Sequence, residues 1–194
     1  DLYIQGHALQ RLYELLDHED SYEVQMDLLF SLMKPRVHIM DYKKRMIEYR
    51  IMEDKKVGYL VSEVVDGVVV IRTFLLLTHN HTPEGEKLKE LLNTTKTDMK
   101  YWAIDRMSTF IASDISRNEA LKSKFIEAGC GDLFDINYSG RELMGQNIEQ
   151  AEAMVKYFGL DEEDDFTTSR RHDSTSARQH ERTTERWHDG TKER

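Results

Sequence analysis

His7 and Arg11 are the residues of this sequence best spaced for chemistry. A separation of four places both on one face of a helix. There an imidazole can act as acid or base, and a guanidinium can stabilise charge developing on a phosphodiester. A solvated helix edge with Arg11 paired to Glu14 is the more ordinary use of the same spacing. Arg72, beside Thr73 in an otherwise apolar run, must be paired or must face a cleft, because a lone charge is costly to bury.

A second group is basic. Arg36, Lys43, Lys44, Arg45 and Arg50 cluster within fifteen residues, set against only Asp41 and Glu48. With His38, Tyr42 and Tyr49 interleaved, they are candidate RNA-binding residues that follow a backbone and stack a base. A charged turn that blunts a sheet edge accounts for them equally well. His79 and His81 stand two apart, with only Glu84 and Glu86 nearby as further ligands, so no metal site is assigned and no cofactor is expected. Trp102, Tyr101 and the Met-rich helical faces suit core or a partner groove.

These residues need elements to hold them. The strongest local signal is Lys56–Thr78, where Asp66-Gly67 separates two β-branched runs. A two-residue turn needs positive φ at both central residues, so the pair predicts a hairpin. The second arm is apolar on both faces and is expected to be central in its sheet. Upstream, Ile4–Leu16 has helical periodicity, and a second helix from Asp20 or Ser21 to Pro35 is expected to bury Val24, Leu28, Leu29 and Leu32. The period then changes to two, giving strands at Arg36–Met40 and Arg45–Met52. Thr82-Pro83 opens a third helix, to about Leu92. Asn93–Thr97 reads as a linker, followed by helices over Asp98–Ala112, Asn118–Ala128 (ended by Gly129) and Arg141–Phe158.

The chain carries a net charge of −9 over 194 residues. Residues 1–92 hold 12 basic and 16 acidic side chains, 93–166 hold 8 and 15, and 167–194 hold 7 and 5. An acidic body is a poor general nucleic-acid binder, so RNA binding would need a local patch. The single cysteine, Cys130, excludes an internal disulfide and a cysteine zinc cluster, and suits a reducing, cytoplasmic setting. No apolar run is long enough to span a membrane. The start, DLYIQGHAL, lacks an initiator Met and a signal-peptide pattern, as a trimmed chain would. After Phe166 aliphatic residues nearly vanish, and 167–194 are expected to be disordered unless docked on a partner.

The helix motif His7-Ala8-x-x-Arg11, a second helix and strands closing in VVVIRTF resemble the BrnT-like branch of the RelE/ParE toxin superfamily, over residues 4–78. The resemblance implies a ribonuclease, ribosome-dependent or free, neutralised by an antitoxin partner. It also implies His7, Arg11 and Arg72 as the catalytic set, the last on the closing strand. The chain departs from that family in being acidic and in carrying about 70 further helical residues. The expectation is thus an α+β protein: two helices and a four-strand antiparallel meander (1–92), a helical extension (93–166) and a disordered tail (167–194). Its function is expected to be RNA cleavage. The alternative is non-catalytic binding of other proteins, for example in a phage or mobile element, through acidic helices and tail.

Overall fold

Asp66 and Gly67 both adopt positive φ, 50° and 80°, as a tight two-residue turn requires. They join β4 (Lys55–Val65) to β5 (Val68–Leu76) with Val65 opposite Val68. The computed structural model describes residues 1–16, 21–51, 54–136 and 148–161. Around the hairpin it builds an α+β fold. β3 (Lys44–Ile51) lies antiparallel to β4, and β2 (Val37–Ile39) antiparallel to β3.

Among the described residues the sheet has five strands, not four. β1 (Leu2–Ile4) pairs parallel with β5, Ile4 opposite Ile71, giving the order β1-β5-β4-β3-β2. The expected first helix therefore loses its first residues to a strand, and α1 begins at Gly6 and runs to Leu16.

α1 packs on β5 and α2 (Ser21–Met33) on β3. The strand residues beneath them, Tyr49, Leu60, Ile71 and Phe74, are fully buried. In α2, Val24 and Leu28 are buried as expected, but Leu29 is half exposed and Ser31 takes a buried position instead. The reason is local. Past the end of β2, the outer edge of β3 at Arg50 has no strand neighbour among the described residues. The Ser31 hydroxyl accepts the Arg50 N–H at 2.9 Å, and its one proton faces the carbonyls of Asp27 at 2.8 Å and Arg50 at 3.2 Å.

α3 (Pro83–Leu92) starts where Thr82 accepts the Gly85 N–H. Asn93–Thr97 is not a linker. Asn93 caps α3 at φ 49°, and Thr95 forms a capping box with Asp98 for α4 (Lys96–Tyr101). The helix expected over Asp98–Ala112 is broken: Ala103 takes φ 50°, and α5 spans Met107–Ala112. α6 (Glu119–Ala128) ends at Gly129, φ 94°. α7 covers Ala151–Tyr157, while Ile148 bridges Ser113 outside any helix; 141–147 and the tail 167–194 lie outside the described residues. Phe110, Phe125 and Phe134 meet edge-on, and one hydrophobic core runs from Ala8 to Met154. Among the described residues no helix is long and apolar enough to cross a membrane.

Candidate functional site

Among the described residues β2 ends the sheet, and all three of its residues are exposed. Glu48 N–H donates to the Arg36 carbonyl and Met40 N–H to the Lys44 carbonyl, at 2.9 and 3.1 Å. Strand alternation then turns the N–H and C=O groups of Val37 and Ile39 to the open side. Ile39 is 74% exposed, and Phe30 and Met33 of α2 are 61% and 66% exposed. Phe30 and Met33 line a groove of about 770 Å³ with Lys34, Arg36, Arg50 and Ile51. Arg36, the residue before Val37, brings this groove to the start of β2, and an open strand edge that begins at a partly apolar groove is a layout that accepts an added strand.

The groove floor is charged but balanced. Glu48 is buried. It accepts Nε2–H of His38 at 2.8 Å, and Nη2 and Nε of Arg50 at 2.5 and 2.8 Å. Burial alone would raise the Glu48 pKa, but these bonds, with the Arg50 and Lys56 charges, hold it below the ordinary value. Arg36 reaches Asp54 at 2.7 Å, and Arg50 reaches it at 3.3 Å. A histidine oriented by a carboxylate can serve as a general base. Here the two guanidiniums are already matched by Glu48 and Asp54, which leaves little net charge for a phosphate backbone.

Of the basic cluster, the structure brings Arg36 and Arg50 into this groove. Lys43, Lys44 and Arg45 sit at the β2–β3 turn. There Asp41 accepts the Lys43 and Lys44 backbone N–H groups, Lys43 Nζ lies 5.3 Å from the Tyr42 ring, and Arg45 donates to the Asp41 carbonyl at 2.8 Å. The hydrogen bonds from Lys44, then Lys43, hold the Asp41 carboxyl below its usual range.

His7 and Arg11 both lie on α1. His7 is exposed, and Arg11 pairs with Glu14 at 3.1 Å. Arg72 is elsewhere. Val61 pairs with Thr73 but Ser62 with Ile71, so Arg72 is the extra residue of a β-bulge, and it reaches Glu63 at 3.2 Å. Glu63 alternates with Ser62, whose partner Ile71 is fully buried, so the Arg72–Glu63 pair lies on the sheet face opposite Ile71. No family model, curated protein or solved structure matches the chain.

Sequence reasoning named Glu84 only as a nearby group for His79 and His81 and missed its partners Lys56 and Tyr59. Its Oε1 takes Lys56 Nζ at 2.5 Å and the Tyr59 hydroxyl at 3.0 Å. Burial, then the charge of Glu84, pushes the Tyr59 phenol well above its ordinary value. These groups tie the sheet to α3. The His79 and His81 rings lie 5.2 Å apart and tilted by 45°, and among the described residues no group of three or more His, Cys, Asp and Glu is placed to hold a metal.

Proposed function

We propose that this protein is a non-catalytic interaction module that binds an extended segment of a partner protein along β2. The observation that carries the reading is the outward set of backbone groups at Val37 and Ile39, in a strand that starts at the groove lined by Arg36 and by exposed Phe30 and Met33. The partner's chemistry follows from charge. Basic residues stand at both ends of β2, Lys34 before it and Lys43, Lys44 and Arg45 after it, while Arg36 is already matched by Asp54. A second copy in antiparallel pairing would bring these two basic ends together, which is repulsive. The occupant is therefore an alternating apolar strand with acidic residues at its ends.

The test uses the full chain and two labelled peptides with the same alternating valine–threonine core, one ended by Asp and Glu, the other by Lys. The acidic-ended peptide should bind saturably and the Lys-ended one should not. Ile39→Pro removes an outward N–H and spares the inward ladder, so it should weaken binding about fivefold, the worth of one hydrogen bond near 1 kcal/mol. Equal binding of the two peptides, or no effect of Ile39→Pro, would overturn the reading.

The RNA-cleaving reading is its rival, supported by the helix–helix–strand order and by His7 and Arg11 on one helix. Labelled single-stranded RNA, with and without ribosomes, separates the two. Cleavage by the parent that is lost in Arg11→Ala would put the RNA reading first.

A further inference from the structure

A second concave site lies away from β2, where the middle of α1, the loop after β5 and α4 meet. We propose that this cleft binds one small oxyanion of the phosphate class. Arg11, His79, Lys96 and Lys100 line it together with Asp105, around a space of about 130 Å³. That is room for a single phosphate-sized group rather than for a nucleotide.

The charge there runs against the rest of the molecule. Three permanent cations face one carboxylate in a chain whose net charge is −9. Lys96 and Lys100 are four apart on a six-residue helix, a like-charge spacing that disfavours the helix on its own. Neither has an ion-pair partner among the described residues, and Arg11 has only Glu14. An anion held between the three would relieve this repulsion, and Arg11 can give it two parallel hydrogen bonds.

His79 supplies a neutral donor. Its Nδ1 accepts the His81 backbone N–H at 3.2 Å, so the proton of the neutral ring sits on Nε2. The ring is held by its loop. The His79 carbonyl accepts the Thr82 N–H at 2.8 Å and the Thr82 hydroxyl at 2.7 Å, and a Cβ on Gly85 would overlap that carbonyl. Burial, then the charges of His81, Lys96 and Arg11, press the His79 pKa down to about 4, with Asp105 opposing. Lys100 is the remaining charged group on the lining. The imidazole is therefore uncharged at neutral pH, and a bound anion should pull its titration upward, since a nearby negative charge favours the protonated ring.

This site is independent of β2, so its test does not depend on the partner-strand reading. The full-length chain is titrated with inorganic phosphate and, separately, with phenyl phosphate, following the His79 ring resonances by NMR. Saturable shifts of those resonances and a raised His79 titration are expected. Lys96→Gln combined with Lys100→Gln should weaken binding about tenfold or more, the effect of losing two charge-assisted contacts. Both lysines are exposed, so the fold should survive, and a circular dichroism melt no lower than the parent's confirms it. Binding of phenyl phosphate at least as tight as phosphate identifies a phosphomonoester ligand. Binding of phosphate alone identifies the free ion. No saturation by either, motionless His79 resonances, or equal affinity in the double variant would overturn the proposal.

Discussion

Tyr59, on β4, donates its hydroxyl to Glu84, at the start of α3, across 3.0 Å. The same carboxylate oxygen takes Lys56 Nζ, and both charged side chains are more than four-fifths buried. Breaking a buried pair from one side leaves the other charge stranded. Glu84→Ala should therefore cost about 3 kcal/mol of stability. Glu84→Gln keeps an acceptor for Tyr59 and should cost less. Urea denaturation of the three proteins checks this, and equal midpoints would remove Glu84 as the tie between sheet and helix.

Two glycines should respond to substitution in an informative way. Gly67 sits at φ 80° in the hairpin turn, and Gly67→Val should destabilise by about 1 kcal/mol or more, since a β-branched residue resists positive φ. Gly85 lies inside α3, where Ala normally gains about 1 kcal/mol over Gly. Here the added methyl would overlap the His79 carbonyl, so Gly85→Ala should destabilise instead. Thermal melts of both variants decide it, and a stabilised Gly85→Ala would show that the loop can move aside.

Residue order revealed the hairpin because Asp66-Gly67 and its β-branched arms are a local signal. The N-cap of α3 at Thr82 and the stop of α6 at Gly129 were readable for the same reason. β1 was not, because Leu2-Tyr3-Ile4 becomes a strand only where β5 offers it a partner, and Ile4 also fits the period of α1. The break near Ala103 was hidden because Met99, Ala103 and Met107 continue a helical repeat. The site was harder still. That His38 meets Glu48 depends on the β2–β3 register, and that Arg11 joins Lys96 and Lys100 depends on packing between elements about 85 residues apart. Arg72 illustrates the converse: its need for a partner was legible, but the bulge that turns it to Glu63 was not.

The Glu48 network should be visible in the pH dependence of stability. Its carboxyl is held below the ordinary value of 4.5, so the folded state binds the proton less well than the unfolded chain. The stabilisation is complete above the unfolded value and is lost as pH falls through the lower folded one. At neutral pH, Glu48→Gln should cost about 2 kcal/mol, the range for hydrogen bonds to a charged group. The gap between parent and variant should close as pH drops below the ordinary carboxylate range. A gap that stays constant down to acid-induced unfolding would show that Glu48 does not titrate with the network.

Cys130 gives a probe of the core. It is fully buried, and burial, then the Glu84 charge, pushes its thiol up to about 12, with Lys56 opposing. The thiolate is the reactive form. At pH 8 the native chain should therefore give almost no reaction with Ellman's reagent, and the unfolded chain should give one thiol per molecule, the single cysteine of the sequence. Rapid native labelling would mean that the packing around Cys130 opens readily.

Phe30 separates binding from folding on a single helix. Leu28, two residues earlier, is buried in the core, whereas Phe30 is largely exposed at the groove beside Met33. Leu28→Ala removes buried methyl groups and should cost about 2–4 kcal/mol. Phe30→Asp changes a surface position and should shift stability by only about 0.5 kcal/mol. Its effect on the acidic-ended peptide should be large, because the substitution removes an apolar contact and places a negative charge against the peptide's own acidic ends. Binding and melting measured on both variants complete the comparison. If Phe30→Asp retains full peptide affinity, the partner strand does not lie on α2, and the bound segment must be held by the backbone groups of β2 alone.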